Sequence, residues 1–298
     1  MGDVWDLVTI DERHALKGHS GARVDLLVRG SERRVRKTAA AEGSNARLAA
    51  QMARQQSAHA AGLRTPRVQA DGLDHGRFFF EMEYIPGRSV ARSFLEGRPA
   101  DLDALAGFLV NTINAYRATE RGLLPEAIFA DKMSSIGQTC APRLRSLGRL
   151  AEFETLAAFV LNGTLAIPCS DGHGDLSFEN IIIDASGQFV LIDFDDPGFS
   201  SWMLDFAKVL QDVCGRWCLR TLILGAPRPQ PAITMNALLE MERAKIRVKG
   251  ALDRQLRVPA RTSARLCVFQ LLRILPYCLD SEMAAYVLTN AMAVQSEA

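Results

Sequence analysis

Lysine is scarce in this sequence. Six of the 35 basic residues are Lys, at 17, 37, 132, 208, 245 and 249, and the other 29 are Arg. Codon usage in an Arg-rich genome accounts for such a bias, and it makes each retained Lys worth following. Charge of one sign is missing too: 35 basic residues face 34 acidic ones, for a net charge of +1. A polyanion-binding protein carries a strong basic excess, so no nucleic-acid partner is expected. No run of about 18 apolar residues occurs, so no membrane span is expected. The most apolar helical stretch, 266–279, carries Gln270 and Arg273. The N-terminal segment, Met1-Gly-Asp-Val-Trp-Asp6, lacks the basic-then-apolar pattern of a secretory signal, so a cytoplasmic location is expected. The six cysteines form no paired CxxC spacing and only five His are present, which argues against structural zinc and for reduced thiols. The GxxxxGK[ST] pattern of a P-loop is absent.

What is present is apolar material, 48% of 298 residues, enough for one large domain or two lobes. Residues 15–21, 22–28 and 32–38 read as strands of an antiparallel meander, punctuated by Gly18, Gly21 and Gly30. Over 44–61 good helix formers take over, with Ser44 or Asn45 as cap and Gly62 as stop. Segments 77–80 and 81–85 are strand-like, and Pro86-Gly87 breaks the chain. Helices are then expected near 101–119, 141–162, 201–222, 233–250 and 262–292. They are interrupted by two apolar runs, 180–184 and 188–193, joined by Asp184-Ala-Ser-Gly187. The expected division is a β-rich lobe over 1–86 and a helical lobe over 87–298, with a ligand cleft between them.

His173-Gly-Asp-Leu-Ser-Phe-Glu-Asn180 enters this hairpin and Asp193-Phe-Asp-Asp196 leaves it. Asn180 and Asp193 then lie at adjacent strand ends, with Asp175 on the loop before them. A carboxylate beside an amide oxygen suits Mg²⁺, which takes hard oxygen ligands and retains water and phosphate oxygens.

HGDLSFEN followed by LIDFDD resembles the catalytic and metal-binding loops of the aminoglycoside phosphotransferase and choline kinase-like enzymes. The specific part covers about 168–211. The resemblance implies an α+β, protein-kinase-like fold of two lobes and phosphoryl transfer from ATP. It implies that Asp175 orients the acceptor hydroxyl and that Asn180 and Asp193 hold Mg²⁺. His173 is expected to pack the loop and Asp205 to brace it. Lys37, ending Val35-Arg-Lys-Thr38, resembles the strand-three lysine that meets the phosphates. Arg36 is expected on the opposite face. Gly18, Ser20 and Gly21 would form the loop over the phosphates. Met82 would back the adenine pocket, with the backbone of Glu83 and Ile85 at its base. The following helix has no Glu to pair with Lys37; Gln51, Gln55 or Glu42 is expected to accept from it instead.

Only 11 residues (194–204) separate Asp193 from Asp205, too few to dock a peptide, so the expected partner is a small-molecule acceptor. From residue 220 onward, eleven basic residues outnumber six acidic ones. That balance points to a neutral or anionic metabolite, such as a sugar, sugar acid or hydroxy acid, rather than a polycation. Gln211, Asp212 and Trp217 are candidate acceptor contacts. Arg273 either reaches the acceptor or braces a helix break at Pro276. The segment 192–217 also resembles phosphotransferases of surface-polysaccharide metabolism. Two alternatives remain: an aminoglycoside O-phosphotransferase, and a catalytically silent nucleotide-binding pseudokinase module.

Overall fold

The computed structural model describes residues 6–8 and 21–298, apart from 99, 196–197, 226–230 and 279. The chain divides into two compact units. The first takes the N-terminal segment to Arg88 together with His173–Asp175 and Asn180–Gly198; the second takes Ser89–Gly172, Leu176–Glu179 and Phe199–Ala298.

The first unit holds a five-stranded antiparallel sheet of β1 (Asp6–Val8), β2 (Arg23–Arg29), β3 (Glu32–Thr38), β4 (Val68–Asp74) and β5 (Arg77–Glu83), in the order β1-β2-β3-β5-β4. Alternation along β3 buries Val35 and Lys37 and turns Arg34 and Arg36 to the other face, where both reach Glu81. Helix α1 (Asn45–Ala60) packs on β5. Its Leu48 joins Val35, Ala39, Phe80 and Met82 in a core. Each large side chain there is worth about 1.5–3 kcal/mol of burial.

Ser44 occupies the N-cap but its side chain caps nothing. Asn45 instead ties α1 to the hairpin of β4 and β5: its Oδ1 accepts from the Phe78 N–H at 2.8 Å and its Nδ2 donates to Gly76 O at 2.9 Å. Strand β4 had no signal in the sequence, and the strand-like stretch after it is a single strand ending at Glu83.

A second sheet orders β6 (Gly87–Ser89), β7 (Ile181–Asp184) and β8 (Phe189–Leu191) as β6-β7-β8. The β7–β8 hairpin is antiparallel, with Ile181 opposite Leu191. Its turn is closed by Asp184 Oδ1, which accepts from the N–H groups of Ser186 and Gln188 and from Ser186 Oγ. Gly87 is required by close approach, since a Cβ there would collide with the Ile183 carbonyl.

The second unit is helical: α2 (Val90–Leu95), α3 (Leu102–Arg117), α4 (Ala127–Ser146), α5 (Leu150–Leu161), α6 (Trp202–Val213), α7 (Arg220–Leu224), α8 (Pro231–Ala244), α9 (Gly250–Leu256), α10 (Ala260–Leu272) and α11 (Ser281–Ser296). A π-helical segment, Lys245–Lys249, joins α8 to α9. The helix expected over 141–162 is two helices, broken where Gly148 takes φ +67°. The helix expected over 262–292 is interrupted by the short turn around Pro276. Helix α6 is buried along nearly its whole length and packs against α10. Its start is fixed by Ser201 Oγ, which accepts from the Met203 N–H, and by Ser170 Oγ, which accepts from the Trp202 N–H. Among the described residues no helix is long and apolar enough to cross a membrane.

Candidate active site

The hairpin brings its polar ends together. The Ile192 N–H donates to Asn180 O at 3.0 Å, which sets Asn180 and Asp193 side by side. Asp193 takes φ +60°, a left-handed conformation that Asp tolerates better than most residues. Asn180 Nδ2 donates to Asp175 O and to Asp175 Oδ2, both at 2.9 Å. That pair of bonds fixes the amide and orients the Asp175 carboxylate.

Lys37 Nζ lies 2.5 Å from Asp193 Oδ1, a short charge-assisted contact between groups 156 residues apart in sequence. Lys37 is only 6% exposed. The expected partners of Lys37 do not hold it. Gln51 Nε2 donates to Asp195 Oδ1 at 2.9 Å, and Gln55 Nε2 donates to Pro66 O and Met82 Sδ. Glu42 lies beside Gly76. The ammonium goes to the hairpin carboxylate, a full counter-charge that the two amides lack.

His173 is fully buried and stacks on Phe194, with ring centroids 4.3 Å apart. Its Nε2 is 2.9 Å from Ile192 O, and its Nδ1 accepts from the Asp175 N–H at 3.3 Å. A carbonyl on one side and an N–H donor on the other select the neutral Nε2–H tautomer. Burial pushes its pKa down to about 4, against the opposing pull of Asp175 and Asp193. It is a packing residue of the loop, not a proton carrier at neutral pH. The Asp195 N–H donates to His173 O at 3.0 Å, which ties the Asp193 turn to the Asp175 loop.

The sequence from residue 14 to residue 224 matches the phosphotransferase enzyme family. The chain belongs to that family. No curated protein matches the sequence. Among solved structures, the chain is similar to a choline kinase, LicA from Streptococcus pneumoniae, at 14% identity and a TM-score of 0.57, covering 98% of this chain and 93% of that one. It is similar to a thermostable mutant of aminoglycoside phosphotransferase APH(4)-Ia in ternary complex with AMP-PNP and hygromycin B, at 13% identity and a TM-score of 0.54, covering 98% and 94%. It is also similar to an aminoglycoside-3'-phosphotransferase of type VIII, at 20% identity and a TM-score of 0.51, covering 89% and 93%. Likeness at these identities is one of fold: α+β and protein-kinase-like, a small antiparallel sheet followed by a mainly helical remainder.

A phosphotransferase needs a place for a divalent cation. Among the described residues no three His, Cys, Asp or Glu side chains gather into a metal cage. The donor chemistry nevertheless fits a hard cation that takes its remaining ligands from phosphate and water. Asn180 commits its Nδ2 to Asp175, which leaves Oδ1 as a hard oxygen beside the Asp193 carboxylate.

Gly18 and Ser20 of the expected phosphate loop lie outside the described residues. Gly21 is described, at φ +71°. Met82 is buried in the sheet core opposite Val35. The Glu83 N–H donates to Arg67 O at 3.0 Å, so only its carbonyl is left for a base edge. Ile85 follows β5, half-buried.

The acceptor candidates belong to the second unit, and most have internal duties. Asp205 is 2% exposed; a Cβ on Gly172 would lie 2.7 Å from its Oδ2 and 2.7 Å from Ser200 Oγ, so glycine permits its approach to the loop. Asp212 is an acceptor candidate by sequence. It is fully buried instead, and its Oδ2 accepts from the Phe178 N–H at 2.6 Å. Gln211 is 1% exposed. Trp217 lies under the Arg220 guanidinium, 4.2 Å from the ring centre, and Arg220 reaches Glu179 at 2.8 Å. Arg273 sits at the C-cap of α10, where its Nη1 donates to Gln270 Oε1 at 2.9 Å. Sequence reasoning missed Asp195, whose carboxylate accepts from Gln51 and from Arg47 Nη2. The second Asp of DFDD was its only trace in the sequence.

Proposed function

We propose that the protein is an ATP- and Mg²⁺-dependent small-molecule kinase that phosphorylates a hydroxyl of a neutral or anionic metabolite, such as a sugar, sugar acid or hydroxy acid. The observation that carries this reading is the convergence of four groups: Asp175 held by Asn180, and Lys37 held by Asp193 beside it. Asp175 orients the acceptor hydroxyl and takes its proton as the oxygen attacks. Asn180 Oδ1 and Asp193 bind the cation, which when bound neutralises phosphate charge. Lys37 offers its own charge to the nucleotide phosphates. The AMP-PNP held by the similar APH(4)-Ia structure supports an adenine nucleotide.

The charge of the acceptor is argued from ion pairs. Of the six acidic residues after position 220, four are matched to cations: Glu240 with Arg243, Glu242 with Arg216, Asp253 with Lys249, and Glu297 with Lys245. A fifth, Asp280, caps α11 by accepting from the Met283 N–H. Carboxylates so engaged are poorly placed to line a polycation pocket, which favours the metabolite over the aminoglycoside. The same pairs also neutralise several of the basic residues, so the basic excess selects less strongly than its count suggests.

Thermal-shift titration with Mg-ATP, followed by a library of sugars, sugar acids, hydroxy acids and aminoglycosides, tests the reading. A ligand at 100 times its Kd stabilises by about 2.7 kcal/mol. The expected outcome is a shift with Mg-ATP and ADP release with a neutral or anionic hydroxyl compound. Turnover confined to aminoglycosides would reverse the acceptor assignment.

A further inference from the structure

Helix α1 has Gln51, 3% exposed, where the resemblance leads one to expect a Glu. Gln51 Nε2 donates to Asp195 Oδ1 at 2.9 Å, and Arg47 Nη2, one helical turn earlier, donates to the same oxygen at 2.8 Å. The amide cannot be turned over, because that would set its oxygen against a carboxylate oxygen. Its Oε1 is therefore fixed on the far side of the amide. That oxygen is buried and has no hydrogen-bond partner. Native structures rarely leave a buried acceptor unpaired without a use for it. Lys37, also buried, commits one of its three N–H donors to Asp193. Asp193 and Asp195 are two residues apart on one turn, so Gln51 and Lys37 are tethered to the same three-residue segment. Their elements adjoin as well: α1 packs on β5, and Lys37 pairs with Phe80 of β5.

We propose that Gln51 is a two-ended positioning residue. Its nitrogen end, with Arg47, anchors the Asp193–Asp195 turn to α1; its oxygen end accepts the Lys37 ammonium once Asp193 is engaged by a cation. The inference rests on the phosphotransfer reading of the site. It explains the missing Glu. A carboxylate at position 51 would accept from Lys37 but repel Asp195. A neutral amide of this length donates to one carboxylate and accepts from one ammonium. The positive charge of Lys37 is then not cancelled by the helix and remains whole for the phosphates.

The test uses the full chain with Gln51→Leu, Gln51→Glu, Asp195→Asn and the double variant Gln51→Glu/Asp195→Asn. Two readouts are taken: the thermal shift given by Mg-AMP-PNP, and kcat and KM for ATP determined separately. Gln51→Leu is expected to fold, to lose about tenfold in kcat and to show a smaller shift with Mg-AMP-PNP. Gln51→Met serves the same arm if the Leu variant fails to fold. Gln51→Glu should be worse, through repulsion from Asp195. The double variant should recover to within about threefold of wild type, because an Asn at 195 donates to one carboxylate oxygen and Lys37 takes the other. A side chain that only packs would leave Gln51→Leu like wild type, or leave the double variant no better than Gln51→Glu; either result overturns the proposal. If wild type shifts with Mg-AMP-PNP and Gln51→Leu shifts equally, the positioning role alone falls. A flat titration for wild type removes the phosphotransfer reading and this inference with it.

Discussion

Lys37 in the first compact unit and Asp212 in the second are both buried ionisable groups, and they are accommodated differently. In the first, the buried Lys37 is met by the Asp193 carboxylate. The buried base of this unit, His173, stays neutral because burial disfavours the imidazolium. In the second, Asp212 is fully buried with a backbone N–H as its hydrogen-bond donor, and its other oxygen has no partner. Burial pushes its pKa up to about 7; the Phe178 N–H opposes this and the negative charge of Glu179 adds to it. Burying a charge costs little only where a counter-charge is built beside it. The Lys37–Asp193 pair places charge where the proposed chemistry needs it, whereas burial disfavours charge on Asp212, which holds a loop in place.

If that contrast is right, replacements in the first unit should cost activity before stability. The largest effect is expected from Asp175→Ala, which removes the group that receives the hydroxyl proton. ATP turnover with the best acceptor should fall by about 10²- to 10⁴-fold with little change in Tm. An unchanged turnover would break the mechanism. Lys37→Arg comes next. The guanidinium keeps the charge but is broader than the ammonium that fits 2.5 Å from Asp193 Oδ1. kcat/KM for ATP should fall by about 10- to 100-fold, with circular dichroism unchanged.

The scarcity of lysine was a useful pointer to this position, but it said nothing of the partner. Local patterns predicted β3, the β7–β8 hairpin and the body of α1, because alternation, turn residues and helix formers act over a few residues. Strand β4 escaped: Val-Gln-Ala-Asp-Gly-Leu-Asp has poor strand propensity, and pairing with β5 is what makes it a strand. Helix α4 was mostly missed, with only its end from residue 141 falling in an expected helix, since Gly137 and Pro142 weaken its signal while Phe129, Met133, Ile136, Cys140 and Leu144 bury one face. In the site, D-x4-N and the following Asp were legible because they lie within 19 residues of one another. The pairs Lys37–Asp193 and Gln51–Asp195 span 156 and 144 residues, and no local rule foretells them. The burial of Asp212 was not legible either, because a carboxylate is seldom fully buried and its backbone partner, Phe178, lies 34 residues away.

Acid pH should probe the first unit. The folded-state pKa of His173, about 4, lies below its ordinary value of 6.5. Its neutral form therefore contributes stability that is complete above about pH 6.5 and is lost as pH falls toward 4. The loss should be roughly 3 kcal/mol, read as a fall in urea-unfolding stability across that range. His173→Gln should flatten that segment of the profile. A profile that keeps the same slope would assign the acid sensitivity to other groups.

Asp212 should give the smallest effect and the opposite sign. Its folded-state pKa, about 7, is raised above 3.8, so the stabilisation it gives is complete at low pH and lost as pH rises through 7. Asp212→Asn keeps an oxygen for the Phe178 N–H and cannot ionise, so at pH 8 it should match or exceed wild type by about 1 kcal/mol. The gain stays small because the unpaired oxygen is exchanged for an unpaired amide N–H. From pH 8 to pH 5 the gain should shrink as the folded-state carboxyl becomes protonated, and below about pH 3.8, where the unfolded-state carboxyl is protonated as well, charge relief should contribute nothing. A gain at pH 5 as large as that at pH 8 would show that relief of charge is not what the substitution supplies, and the contrast between the two units would lose its electrostatic basis.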